Sequence, residues 1–287
     1  IIYYHNIMKK VLIILCCVLA LQSCNKDNTK NETINGFDIN WTGDLGKKEK
    51  DAVRDMISNM VKVEAGTFYM GAQKDSVLYH NYDEEATSLE GPVHEVTVSE
   101  FYINKYEVTQ LLWEAIMGET PNKEKDMQWE DEFGKGDNYP AYRISYKEVE
   151  TFIGKLNEYT GLRFSLPTEA QWEYAAKGGK NTYYSLYAGG GNVLEVAWID
   201  SNSDKCSEVG KKNANGLGLY DMSGNVWEMC NNWYYDYKDV CDTITSGEDY
   251  TGYKVFRGGS WKTNAQQARV TARYKQGIHY RDYNTGF

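Results

Sequence analysis

Apolar positions along this chain pass from one continuous block, to near absence, to short alternating runs. Residues 11–21 are almost uniformly apolar, residues 25–38 are rich in Asn, Lys, Asp and Thr, and alternation sets in near Val61. Val61-Lys62-Val63, the stretch 66–71, the stretch 94–98 and Phe101-Tyr102-Ile103 read as short strands. Three helices follow. Thr109 is placed to cap the first, whose Leu111, Leu112, Ala115 and Ile116 share one face. Ser145 and Glu148 form a capping box for the second, with Val149, Phe152, Ile153 and Leu156 as its stripe and Gly161 as its stop. Thr168 and Gln171 open the third, which Gly178-Gly179 closes. Beyond residue 180 the chain is rich in Gly, Asn, Ser and Tyr, and so much irregular backbone needs buried polar side chains, aromatic clamps or ions to hold it. With no internal repeat and no second apolar segment, one domain over 59–287 is expected.

The N-terminal block reads as an export signal. Lys9 and Lys10 follow Met8, the first plausible start, with residues 1–7 upstream of it. The 11 apolar residues that follow are too few for a span of about 20. Leu21-Gln22-Ser23-Cys24 resembles a lipobox, in which the Cys is acylated and becomes the new N-terminus. An ordinary signal with a chance Cys is the alternative. The expected division is a signal over 1–23, a lipidated Cys24 with a polar tether over 24–58, and the domain. That places the protein in the cell envelope, facing periplasm or cell surface, with a lipid anchor in the membrane.

Charge narrows the partners. The 287 residues carry a formal charge of −10, or about −12 without residues 1–23, which hold two lysines and no acids. Such a balance argues against nucleic acid and suits cations or neutral, stacking ligands. The 24 Tyr and 8 Trp offer rigid amphipathic contact area for a protein or glycan partner.

Four segments carry the strongest signal: 66–71 (GTFYMG), 166–176 (LPTEAQWEYAA), 218–228 (GLYDMSGNVWE) and 257–261 (RGGSW). In this order they resemble the sulfatase-modifying-factor family, the formylglycine-generating-enzyme-like domain, over about 61–287. Members continue past Gly-Phe with Arg and a short strand, so the chain is expected to stop a few residues early. The resemblance implies an α+β fold related to C-type lectins, loop-rich, with small sheets and two to three helices. It also implies calcium, held by the Asp221 and Glu228 side chains and the Gly224 and Val226 carbonyls, a donor set suited to a hard cation. The alternative is that Asp221 and Glu228 only cap a turn. A second family calcium site would fall near 192–202.

The family's oxidase converts a sulfatase cysteine to formylglycine with copper on two cysteines. The matching positions are Thr263 and Ala268, which cannot replace soft thiolates, so copper is not expected. Trp227 and Ser260 match residues of the oxidase pocket, and equally fit a purely structural role. An oxidase with altered ligands is the alternative to a binding or scaffold protein. Of Cys206, Cys230 and Cys241, the last two could pair, although the sequence does not fix the pairing. His80, His94 and His279 show no metal-ligand spacing. Arg257 is expected to bond buried carbonyls or a carboxylate.

Overall fold

A computed structural model describes residues 31–121, 128–181, 185–237 and 252–287. The signal segment, Cys24 and Cys241 lie outside the described residues.

The tether expected over 24–58 is folded from Asn31 onward. A hairpin of β1 (Asn31–Ile34) and β2 (Phe37–Asn40) turns at Asn35-Gly36, both with positive φ. It leads into helix α1 (Lys47–Ser58). Lysines and acids mask an apolar face of Ala52, Val53, Met56 and Ile57, all buried, with Ile39 and Trp41 beside them. Burying each of the larger side chains is worth about 1.5–3 kcal/mol, enough to hold a helix whose exposed face is otherwise charged.

Strands β3 (Met60–Val63) and β4 (Gly66–Met70) follow, then β5 (His94–Val98) and β6 (Phe101–Asn104). Their pairing is nested: β4 pairs with β5, Phe68 opposite Val96, and the flanking β3 pairs with β6, Val61 opposite Ile103. Helix α2 (Gln110–Met117) starts where Thr109 Oγ1 accepts from Leu112 N and stops at Gly118, φ 77°. Helix α3 (Tyr146–Thr160) has both halves of its capping box and ends on Gly161, φ 70°. Helix α4 (Glu169–Ala176) is boxed by Thr168 and Gln171, and a single turn, α5 (Val193–Val196), follows. A four-stranded sheet completes the domain. Its order is β10 (Thr285–Gly286), β7 (Trp227–Trp233), β8 (Tyr253–Arg257), β9 (Tyr274–Gly277), with β10 parallel to β7 and the rest antiparallel.

The largest core lies between α1, α2, α3 and this sheet, where Trp113 stacks on Phe152 at 5.4 Å and Phe287 packs edge-on against both. A second core surrounds Trp172 of α4 with Leu219, Met222, Val255 and Val270. Small sheets, five α-helices among the described residues and long tethered loops make this an α+β fold.

Candidate functional site

The four sequence motifs meet in the interior and bond to one another. Glu169 and Glu173, one turn apart on α4, face Arg257 at the end of β8, whose Nη1 donates to Glu169 Oε1 at 3.0 Å and whose Nη2 reaches Glu173 and the Val270 carbonyl. Arg273 grips Glu169 through two nitrogens, and Lys177 donates to Glu173 Oε1 at 2.6 Å. Gly71 N also donates to Glu173 Oε1, at 2.8 Å, tying in the first motif. Burial pushes the Glu173 pKa up, but Lys177 and Arg257 outweigh it and hold the carboxylate below its ordinary value. Arg257 thus answers carboxylates as well as a carbonyl, and serves as an internal brace.

Beside this brace lies a second group of acids, Glu107, Asp221 and Glu228, which form no salt bridge among the described residues, Lys212 acting on Asp221 only at longer range. Trp172 Nε1 donates to Glu228 Oε2 at 2.8 Å. Asp221, in left-handed backbone at φ 57°, accepts Gly210 N on Oδ2 at 2.7 Å, while its buried Oδ1 has no hydrogen-bond partner. Glu107, between β6 and α2, accepts Val226 N at 3.0 Å and Asn225 Nδ2 at 2.6 Å. Burial is the main cause of a raised pKa in all three, countered by their hydrogen bonds. Glu228 moves up to about 8 and Glu107 well above the carboxylate range, with neighbouring acids adding to both rises, while Asp221 moves up to about 6 against the opposing pull of Gly210 N and Lys212.

The loop carrying these groups is sharply constrained. Gly224, φ 82°, lies so close to Trp198 that a Cβ would sit 2.2 Å from the Trp198 carbonyl oxygen. Its amide bonds Gly258 O at 2.8 Å, and Asn225 bonds Trp198, Ser207 and Trp261 through backbone and side chain. The loop therefore arrives at Val226 and Glu228 in one fixed course. No group of three or more His, Cys, Asp or Glu side chains among the described residues is arranged to hold a metal ion by itself. The set here is mixed: side-chain oxygens of Asp221 and Glu228 with backbone carbonyls from the intervening turn. Oxygens of this kind suit a hard cation, and Asp221 Oδ1 is buried without a hydrogen-bond partner.

Sequence reasoning missed Glu107. It stands 118 residues from Asn225, and nothing local separates a buried acid from an exposed one. Glu107 and Glu228 also form part of the wall of a mostly apolar cavity of about 390 Å³, bounded by Met56, Met60, Ile103 and Leu156 among others.

The positions that match the oxidase's cysteines are closed. Ser260, Thr263 and Ala268 are 0%, 8% and 0% exposed. Thr263 Oγ1 accepts from Ser260 N at 2.8 Å and donates to Ser260 O at 2.9 Å, so its hydroxyl is spent on the local turn. A Cβ on Gly259 would stand 3.0 Å from both Thr263 Oγ1 and Ala268 Cα, leaving no room between them. Asn284 Nδ2 donates to Ser260 Oγ at 3.1 Å. Trp227 is buried with its ring stacked on Tyr274 at 5.0 Å. Cys206 and Cys230 are free and buried, and burial pushes both thiols up, away from the thiolate a soft metal needs. His94 opens β5 beside the Pro92 carbonyl, and His80 stacks on Tyr69.

A family model described as the sulfatase-modifying factor enzyme 1-like domain matches residues 46–287. The chain belongs to this family. It is 32% identical over 219 residues to "Chaperone protein LppX" of Paenibacillus barcinonensis, covering 61% of this chain and 74% of that protein. It is 25% identical to the formylglycine-generating enzyme of Mus musculus, over 80% of this chain and 74% of the enzyme. Among solved structures, Treponema denticola variable protein 1 superposes with a TM-score of 0.64 at 25% identity, covering 90% of this chain and 96% of that one. The formylglycine-generating-enzyme-like fold expected from the motifs is therefore the fold of this sulfatase-modifying-factor-like domain.

Proposed function

We propose that this sulfatase-modifying-factor-like domain is a binding or scaffold protein of the cell envelope, anchored through Cys24 and braced by calcium, and not an oxidase. The observation that carries the reading is the pair Thr263 and Ala268, packed shut where copper chemistry needs two accessible thiols. A relative whose printed name is a chaperone supports a role in binding protein rather than in oxidation. The lipobox-like Leu21-Gln22-Ser23-Cys24 supports the anchor, and among the described residues no helix is long and apolar enough to cross a membrane.

Calcium in this reading lies on Asp221, Glu228 and the carbonyls of Gly224 and Val226. Bound there, it supplies the positive charge that the buried acids lack. Glu107 holds the loop in place through Asn225 and Val226. The loop is thereby stiffened without any chemical step.

The test is to load the full chain with Cu(I), add a Cys-X-Pro-X-Arg peptide and O₂, and follow peptide mass. No conversion is expected. Turnover of the cysteine to formylglycine overturns the reading in favour of an oxidase with altered ligands.

A further inference from the structure

The loop from Gln73 to Asn81 shows three consecutive apolar side chains to solvent: Val77, Leu78 and Tyr79 are 70%, 89% and 67% exposed. The loop is rigid. Gln73 and Asn81 close it through a backbone bond, and the Gln73 side chain runs through its middle, accepting the Asp75 and Ser76 amides and donating to the Ser76 carbonyl. Ser76 takes the Leu78 amide on its hydroxyl and the Tyr79 amide on its carbonyl. Asn81 Nδ2 pins the base to the Tyr69 and Gly71 carbonyls, and Arg269 and Arg273 fasten the following strap through Glu90 and the Leu89 carbonyl. The amides of Asp75, Ser76, Leu78 and Tyr79 are therefore satisfied inside the loop, which lowers the cost of moving the tip into an apolar medium.

We propose that Val77, Leu78 and Tyr79 insert into the interfacial layer of a zwitterionic phospholipid membrane. The inference rests in part on the anchor reading above. Strand β1 begins seven residues after Cys24, a reach of at most about 25 Å, so on the anchor reading the domain is held close to a lipid surface. Tyr79 supplies an amphipathic ring for the headgroup layer. Asp75, Glu84 and Glu85 are exposed around a single Lys74, which favours a neutral bilayer over an anionic one.

To test this, the full chain carries an environment-sensitive fluorophore on Lys74→Cys or, as a control, on exposed Thr151→Cys of α3. The parent chain supplies the background from native cysteines. Vesicles of phosphatidylcholine and phosphatidylethanolamine contain a spin-labelled lipid, in excess, and flotation with and without Cys24→Ser is read on the same samples. Expected are quenching at position 74 and not at 151, about tenfold weaker partition after Leu78→Asn, and weaker binding when phosphatidylglycerol is added. Flotation without quenching at 74 overturns the tip proposal and leaves the anchor standing, and protein docking becomes the better use of the loop. Quenching at 74 without Cys24-dependent flotation upholds the tip and overturns the anchor. Loss of both overturns both.

Discussion

Trp172 on α4 donates its indole proton to Glu228 on β7 across 56 residues of sequence, at 2.8 Å. The bond joins the second sequence motif to the third, and Arg257 from the fourth lies over the same indole at 5.1 Å. Trp172 is thus a shared wall between the charge-paired brace and the unpaired acids. Trp172→Phe keeps a ring but removes the donor, leaving Glu228 less solvated in the interior. Destabilisation of about 2 kcal/mol is expected, read as a lower midpoint in urea unfolding with an unchanged slope.

Calcium binding makes a paired prediction. Millimolar Ca²⁺ is expected to raise the melting temperature and a chelator to reverse it, since a ligand that binds only the folded state stabilises it by mass action. Glu228→Gln should abolish this response while leaving the metal-free protein as stable as the parent or more so, because the amide still offers an oxygen to the Trp172 indole and cannot ionise. An unchanged calcium response in Glu228→Gln would place the ion elsewhere.

The acids also set a pH dependence in calcium-free buffer. Glu228 is raised to about 8 and Asp221 to about 6, from ordinary values of 4.5 and 3.8, with burial as the first cause of each. Between the unfolded and folded values the folded protein holds protons that the unfolded chain has released. Stability is then fully present below about pH 4 and is lost as pH rises through 6 and towards 8. Equilibrium unfolding at pH 5 and pH 8 should show the drop, and Glu228→Gln should reduce it, with Glu107 and Asp221 supplying the remainder.

Reinstating thiols tests the closed oxidase positions directly. Thr263 Oγ1 and Ala268 Cα both lie 3.0 Å from where a Cβ on Gly259 would stand, so the two positions are neighbours around that glycine. Thr263→Cys with Ala268→Cys is expected to gain Cu(I) binding, measured by competition with a chromogenic chelator. It should also lose some stability, because the Ser260–Thr263 turn gives up its hydroxyl. Neither single variant should bind copper measurably.

Much of the scaffold was legible because its signals are local. The caps at Thr109, Ser145 and Thr168 and the stop at Gly161 depend on residues three or four apart, and each is present in the structure. Segment 31–58 was misread because composition hid its geometry. Ala52, Val53, Met56 and Ile57 make a buried face that three lysines, two aspartates, a glutamate and an arginine conceal. The nested pairing of β3 with β6 around β4 with β5 has no local signature either. At the acid site Asp221 and Glu228 could be named from the motif, but Glu107 is defined only by a contact across the fold. Likewise the Gly-Gly-Ser-Trp motif showed that a tight turn was needed, but not that its sides would close on Thr263 and Ala268.

The brace on α4 has a consequence for the order in which the chain is made. Glu169 and Glu173 leave the ribosome more than 80 residues before Arg257, and Arg273 follows later still. Until those guanidiniums emerge, α4 would have to bury acids with only Lys177 to answer them. Burial of the α4 acids therefore depends on contacts with residues more than 80 positions later in the chain, and α4 cannot close into the interior ahead of them.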